Sequence, residues 1–147
     1  MEDAEFEKYL EERYYPQIKW YDKKSISNQN IYKIIQWIVI ILAAVTPVLV
    51  AIVDVEAWLR WVAVVISALV AIGTSVLKTF KYQENWINYR TTCETLRKEI
   101  HYYNASINDY ESSNDPMALF VERVEALISR ENTLWLTVQK KKADNKN

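Results

Sequence analysis

The residues that could do chemistry are few and scattered. His101 is the sole histidine. Glu99 and Tyr102 lie near it in sequence, but the three do not make a ligand set, and a partly exposed helical histidine is the plainer reading. Cys93 is the sole cysteine, which excludes an intrachain disulfide. It has no second histidine to activate it and reads as a core thiol rather than a nucleophile. No Cys/His cluster has zinc spacing. The one glycine, Gly73, lies inside an apolar run, so no glycine-rich phosphate loop exists. These gaps argue against an enzyme and imply no cofactor and no metal. The remaining polar chemistry is hydroxyls at Ser67, Thr74 and Ser75 and carboxylates at Asp54 and Glu56.

Those groups sit on or between two apolar runs, Ile34–Val53 and Ala57–Leu77, which organise the chain. Each is about twenty residues long, enough for a helix to cross roughly 30 Å of hydrocarbon. The first carries no charge, and the second carries only Arg60, near its start. The alternative is a buried hairpin of a soluble protein, but so small a domain cannot surround two helices that are apolar on all sides. The connection Asp54-Val55-Glu56 is a tight hairpin. Around it, Trp58 and Trp61 mark one interface. Lys19, Lys23, Lys24, Lys33, Lys78, Lys81 and Arg90 gather on the other side, with Tyr32 and Trp37. The positive-inside rule then places both termini in the cytoplasm.

Ala63, Ser67, Ala71 and Ser75 recur every four residues, and Ala43, Pro47 and Ala51 form a similar stripe. Small residues at this spacing let helices approach closely. Pro47, Ala63, Ser67, Ala71, Thr74 and Ser75 are therefore helix-packing or pore-lining candidates. In a ring of subunits, Asp54 and Glu56 would form acidic rings at the outer mouth and concentrate cations. Otherwise they simply terminate helices at the interface. Pro47 also leaves the carbonyl of Ala43 without its usual donor, which favours a kink.

Composition fits this division. The chain has 147 residues, with 18 Lys+Arg against 19 Asp+Glu, a balance that argues against a nucleic-acid partner. Mean hydropathy is slightly negative because apolar runs are averaged with polar arms. One glycine and three prolines leave little material for hairpin turns, so the chain should be all-helical. Met1–Glu5 is acidic and lacks the apolar core of a signal peptide.

Residues 1–33 read as an N-terminal helical arm. Phe6, Tyr9, Leu10 and Arg13 share one face of a first helix that Pro16 interrupts or kinks. Ile18, Tyr21, Ser25, Asn28, Tyr32 and Ile35 then fall on one seam, weakly apolar in its middle, where Ser25–Asn30 could be a loop or a solvated helical turn. Residues 34–77 are the hairpin, and 78–142 a second helical arm. Here Trp86, Tyr89, Cys93, Leu96, Ile100, Tyr103, Ile107 and Tyr110 recur at steps of three and four, a coiled-coil heptad seam. One helix from Ala57 to Tyr110 would be roughly 80 Å long. Arg90 with Glu94, and Glu94 with Lys98, supply i,i+4 pairs. Asp115 and Pro116 cap and open a closing helix to about Lys141. Its row Phe120, Val124, Leu127, Leu134 and Val138, widened by Val121, Ile128 and Trp135, suits antiparallel packing. Glu131 could meet Arg90 or Arg97. Lys140–Lys142 suits the helix's negative end and an anionic leaflet. Residues 143–147 read as a disordered tail.

The fold expected is thus an all-α membrane protein, a two-transmembrane helical hairpin with long cytoplasmic helical extensions packed as an antiparallel or coiled-coil bundle. The stretch Trp86, Tyr89, Arg90, Glu94, Leu96 and Glu99 resembles a W-x-x-Y-R-x-x-x-E-x-L-x-x-E pattern. That pattern follows the second membrane helix in the SLATT-like group of prokaryotic two-transmembrane proteins. Phe120–Glu125 and Trp135 are similar to that group's closing helix. The resemblance implies a membrane effector, pore-forming and set in the prokaryotic inner membrane. It fixes no ion-selectivity residue, and an appended sensor domain is not expected. The expected function is a homo-oligomer of four to six subunits in the lipid bilayer that conducts ions, with a cation preference. The alternative is a non-conducting scaffold whose cytoplasmic helices recruit a partner.

Overall fold

A computed structural model describes residues 2–51 and 58–129. Asp54, Glu56, Glu131, Trp135, Lys140–Lys142 and the tail lie outside the described residues. All regular structure among the described residues is helical. Helix α1 spans Asp3–Tyr9, a π-turn Leu10–Tyr14, α2 Tyr15–Ala51, α3 Trp58–Phe80 and α4 Tyr82–Ala105. A short 3₁₀ turn, Asn108–Tyr110, follows. The described part of α5 is 116–129.

Pro16, expected either to begin the next helix or to kink a longer one, lies at the start of α2 on a continuous helical path. The turn before it widens, and the Tyr15 N–H reaches back to the Leu10 carbonyl, five residues away. A wide turn next to a proline relieves the ring's clash with the preceding turn. Helix α2 then continues through the polar stretch Ser25–Asn30, a loop or a solvated helical turn by sequence, and through Pro47.

The expected unbroken helix from Ala57 to Tyr110 does not form. Lys81 adopts a left-handed conformation, φ 51°, and separates α3 from α4. The Asn85 side-chain amide donates to the Phe80 carbonyl at 3.0 Å, satisfying one helix-end acceptor. Lys81 also pairs with Glu84 at 2.6 Å. A second left-handed residue, Ser106, ends the helical path after Ala105. Ile107 therefore leaves the expected seam and is 45% exposed. No glycine or proline marks either break, which is why hydropathy and breaker signals miss them.

At α5 the capping signal holds. The Ala118 N–H donates to Asp115 Oδ1 at 3.0 Å, with Pro116 next to it. That hydrogen bond holds the Asp115 carboxyl below the usual carboxylate range.

The chain divides into two compact units, Lys24–Ile87 and the remainder. Both α2 and α4 contribute to each. In the Lys24–Ile87 unit, α2 and α3 are long and apolar enough to cross a membrane, and only 6% of each apolar span is buried. Their seam has Val39 and Ala63 buried. Gly73 fits against Val39, where a Cβ would come within 2.6 Å of Val39 Cγ2. Gly73→Val should therefore destabilise the α2–α3 pair by about 1–3 kcal/mol through overpacking. Val39→Ala should recover part of that loss, as measured by denaturant unfolding in detergent. Absence of recovery would show that the close approach is not between these two positions.

The other unit has a built core. Phe6, Tyr14, Tyr21, Cys93, Leu96, Tyr110, Phe120, Val124 and Ile128 form one buried cluster. It joins α1, the π-turn and the start of α2 to α4 and α5.

Candidate functional site

The six residues of the Trp86-to-Glu99 pattern all take positions that organise helix packing. In the Lys24–Ile87 unit, the Trp86 carbonyl accepts a hydrogen bond from buried Ser25 Oγ at 3.2 Å. The Trp86 indole nitrogen is enclosed by protein.

The other five lie in the second unit. Tyr89 meets the rings of Trp20 and Tyr21 at centroid distances of 5.7 and 6.2 Å. Arg90 pairs with Glu94 at 2.7 Å and Asp22 at 3.3 Å. Arg97 reaches the same two carboxylates at 3.4 and 3.7 Å. Thus the expected Arg90–Glu94 pair forms, and Glu94 also takes Arg97. These groups are about half-exposed, so each pair contributes at most about 1 kcal/mol. Leu96 is fully buried, and its carbonyl accepts from Tyr14 Oη at 2.7 Å.

Glu99 differs in kind, because it is a buried carboxylate. Its Oε1 accepts from Tyr110 Oη and from Arg123 Nε, each at 2.5 Å. Arg123 also holds Asp109 through Nη1 and lies 5.8 Å from the centre of the Tyr110 ring. One carboxylate therefore ties α4, the 3₁₀ turn and α5 together. Burial, reinforced by the carboxylate beside it, pushes the Tyr110 phenol above the ordinary tyrosine value. It therefore stays protonated and can donate.

A second clamp joins α5 to the start of the chain. Arg13 makes a forked contact to both oxygens of Glu125, at 3.0 and 3.1 Å. Tyr9 Oη donates to the same carboxylate at 3.0 Å. The Arg13 hydrogen bonds hold the Glu125 carboxyl below the usual range. Cys93, buried and pointing at the Ile18 carbonyl at 3.8 Å, is pushed up by burial. That suits a core thiol. His101 is exposed. Among the described residues, no group of three or more His, Cys, Asp or Glu is placed to hold a metal ion. A groove of about 350 Å³ is lined by Phe6, Leu10, Ile100, Tyr103 and Met117, with Asp3 and Glu7.

The hairpin candidates are placed differently. Ala63 is buried in the α2–α3 seam. Pro47, Ser67, Ala71, Thr74 and Ser75 are exposed. Ser67 and Ser75 donate to carbonyls one turn back, at 2.8 and 2.7 Å. Thr74 does likewise to Val70 at 2.6 Å. Such back-bonding is how hydroxyls are accommodated on an apolar helix. The sequence reading does not assign Tyr14, Asp22, Asp109, Arg123 or Glu125 to any of these contacts. Arg123 and Glu125 flank Val124 of the apolar row, and that adjacency is the signal available for them.

Among the described residues, the structure defines an all-helical protein with a charge-clamped helical bundle and two long apolar helices. The chain belongs to the family described as Protein of unknown function (DUF4231), whose pattern matches residues 16–118. No curated protein and no solved structure matches it.

Proposed function

We propose that the protein is an integral membrane protein of the SLATT-like kind, whose α2–α3 hairpin spans the bilayer and assembles with further copies around an ion-conducting pore. The observation that carries this reading is the exposed apolar surface around both helices. Ile34, Trp37, Ile41 and Val48 on α2, and Trp61, Val65 and Ile72 on α3, are all exposed. In water such a surface would be far larger than monomers tolerate. From Lys33 to Ala51, and from Lys78 to Trp58, each helix rises about 27–30 Å, the thickness of a hydrocarbon core. The lysine-bearing ends then face the cytoplasm.

Ser67, Ala71 and Ser75 remain exposed, away from the Ala63 and Gly73 contacts with α2, so a small-residue face is left for another hairpin. Cation preference rests on Asp54 and Glu56. Full-length protein in planar bilayers should give discrete currents that Ser67→Leu alters. Silence across ions and voltages, with the protein demonstrably inserted, overturns the pore. The rival reading is a non-conducting scaffold. It is favoured by the hydroxyls of Ser67, Thr74 and Ser75 donating to their own helix rather than to a lumen. Subunit number in nanodiscs separates the two: a ring of four to six supports a pore, and a dimer leaves no room for one.

A further inference from the structure

We propose that Lys33 and Lys78 form a docking site for the phosphate of an anionic phospholipid. The inference rests on the membrane reading above and deepens it.

Two contacts set the register of the Lys24–Ile87 unit. Val39 lies against Gly73, and Ser25 bonds to Trp86. Each step along α2 is thus matched by a step back along α3 and α4. Interpolating between the contacts brings Lys33 level with Lys78 on the neighbouring helix. Both lysines are exposed. Glu84 is the single carboxylate among the described residues of this unit, and it is held by Lys81 at 2.6 Å. Neither Lys33 nor Lys78 has a carboxylate partner among the described residues.

Aromatic side chains border the pair. Trp37 is 65% exposed one turn further into the apolar span. Phe80 and Tyr82 stack at 5.7 Å on the other side. Aromatic rings favour the headgroup level, and lysine stems lie along apolar surface while their ammonium groups reach outward. Two ammonium groups at that depth meet phosphate, and each contributes about 1 kcal/mol toward an anionic surface. The other end of the hairpin offers only Arg60 among the described residues, so the attraction belongs to one leaflet.

The test uses full-length protein in phosphatidylcholine nanodiscs containing trace spin-labelled phosphatidylglycerol or spin-labelled phosphatidylcholine. Electron spin resonance reads the motionally restricted fraction of each. The expected result is a preference for phosphatidylglycerol that falls by about fivefold per lysine in Lys33→Gln and Lys78→Gln. It should survive Lys33→Arg/Lys78→Arg and the addition of inorganic phosphate. Restricted phosphatidylcholine at wild-type level shows that each variant is inserted and folded. Equal restriction of both lipids by wild-type protein overturns this proposal and leaves the membrane reading intact. Displacement by inorganic phosphate overturns the lipid in favour of a soluble anion. No restricted lipid of either kind overturns the membrane reading and this proposal with it.

Discussion

Phe120→Ala is expected to destabilise the helical bundle by about 3–5 kcal/mol. Phe120 is fully buried. The rings of Phe6, Tyr14 and Tyr103 surround it at centroid distances of 5.5, 5.2 and 5.4 Å. Those three come from α1, the π-turn and α4, so the side chain on α5 is the point where separate stretches of chain meet. Its removal leaves a cavity that three large rings cannot fill without abandoning their own contacts. Whole-domain stability is commonly only 5–15 kcal/mol, so most of it is at stake. Denaturant unfolding of the full-length protein in detergent, followed by circular dichroism, measures the loss. Limited proteolysis should show new cleavage around residues 104–119. Helicity of α2 and α3 should persist, because the apolar helices satisfy their own backbone groups in the micelle. A change below about 1 kcal/mol would mean that α5 is not docked as described.

Arg123→Met should cost about 3 kcal/mol, whereas Glu99→Gln should cost less, about 1 kcal/mol. The asymmetry comes from what remains behind. Without Arg123, the Glu99 carboxylate, whose side chain is 4% exposed, keeps its charge with only the Tyr110 hydroxyl beside it. With glutamine at 99, Arg123 retains Asp109 and is itself 36% exposed, so water can solvate it. That exposure is also why the figure for Arg123→Met sits at the low end of the range for broken buried pairs. The double variant Glu99→Met/Arg123→Met should recover much of the single-variant loss, because no orphaned charge is left. The same unfolding measurement provides the cycle. Equal effects of the two single variants would argue that Glu99 is solvated and that the clamp is an ordinary surface pair. By contrast, Arg90→Ala should shift stability by no more than about 1 kcal/mol, since its partners Asp22 and Glu94 remain in reach of Arg97 and of water.

These expectations show where sequence patterns were sufficient. The spacing of Ile18, Tyr21 and Ser25 puts them on one seam, but its polar middle reads as a loop or a solvated helical turn, whereas Tyr21 and Ser25 are buried. The Asp115–Pro116 start of α5 was legible because capping is a local matter of one side chain and its own next turn. The breaks at Lys81 and Ser106 were not legible. A left-handed residue at Lys81 or Ser106 has no glycine to announce it, and other residues visit that conformation only singly.

The sequence by itself determined that the chain is helical and that two of its helices are apolar on all sides. Composition and period suffice for those properties, because they depend on each helix alone. Only the tertiary structure decided what Glu99 is for. Its partners Tyr110 and Arg123 lie in a turn and another helix, and Arg13 finds Glu125 from the opposite end of the described chain. A buried charge is tolerable only when such partners converge on it, and convergence between distant segments is a property of packing that no local spacing encodes.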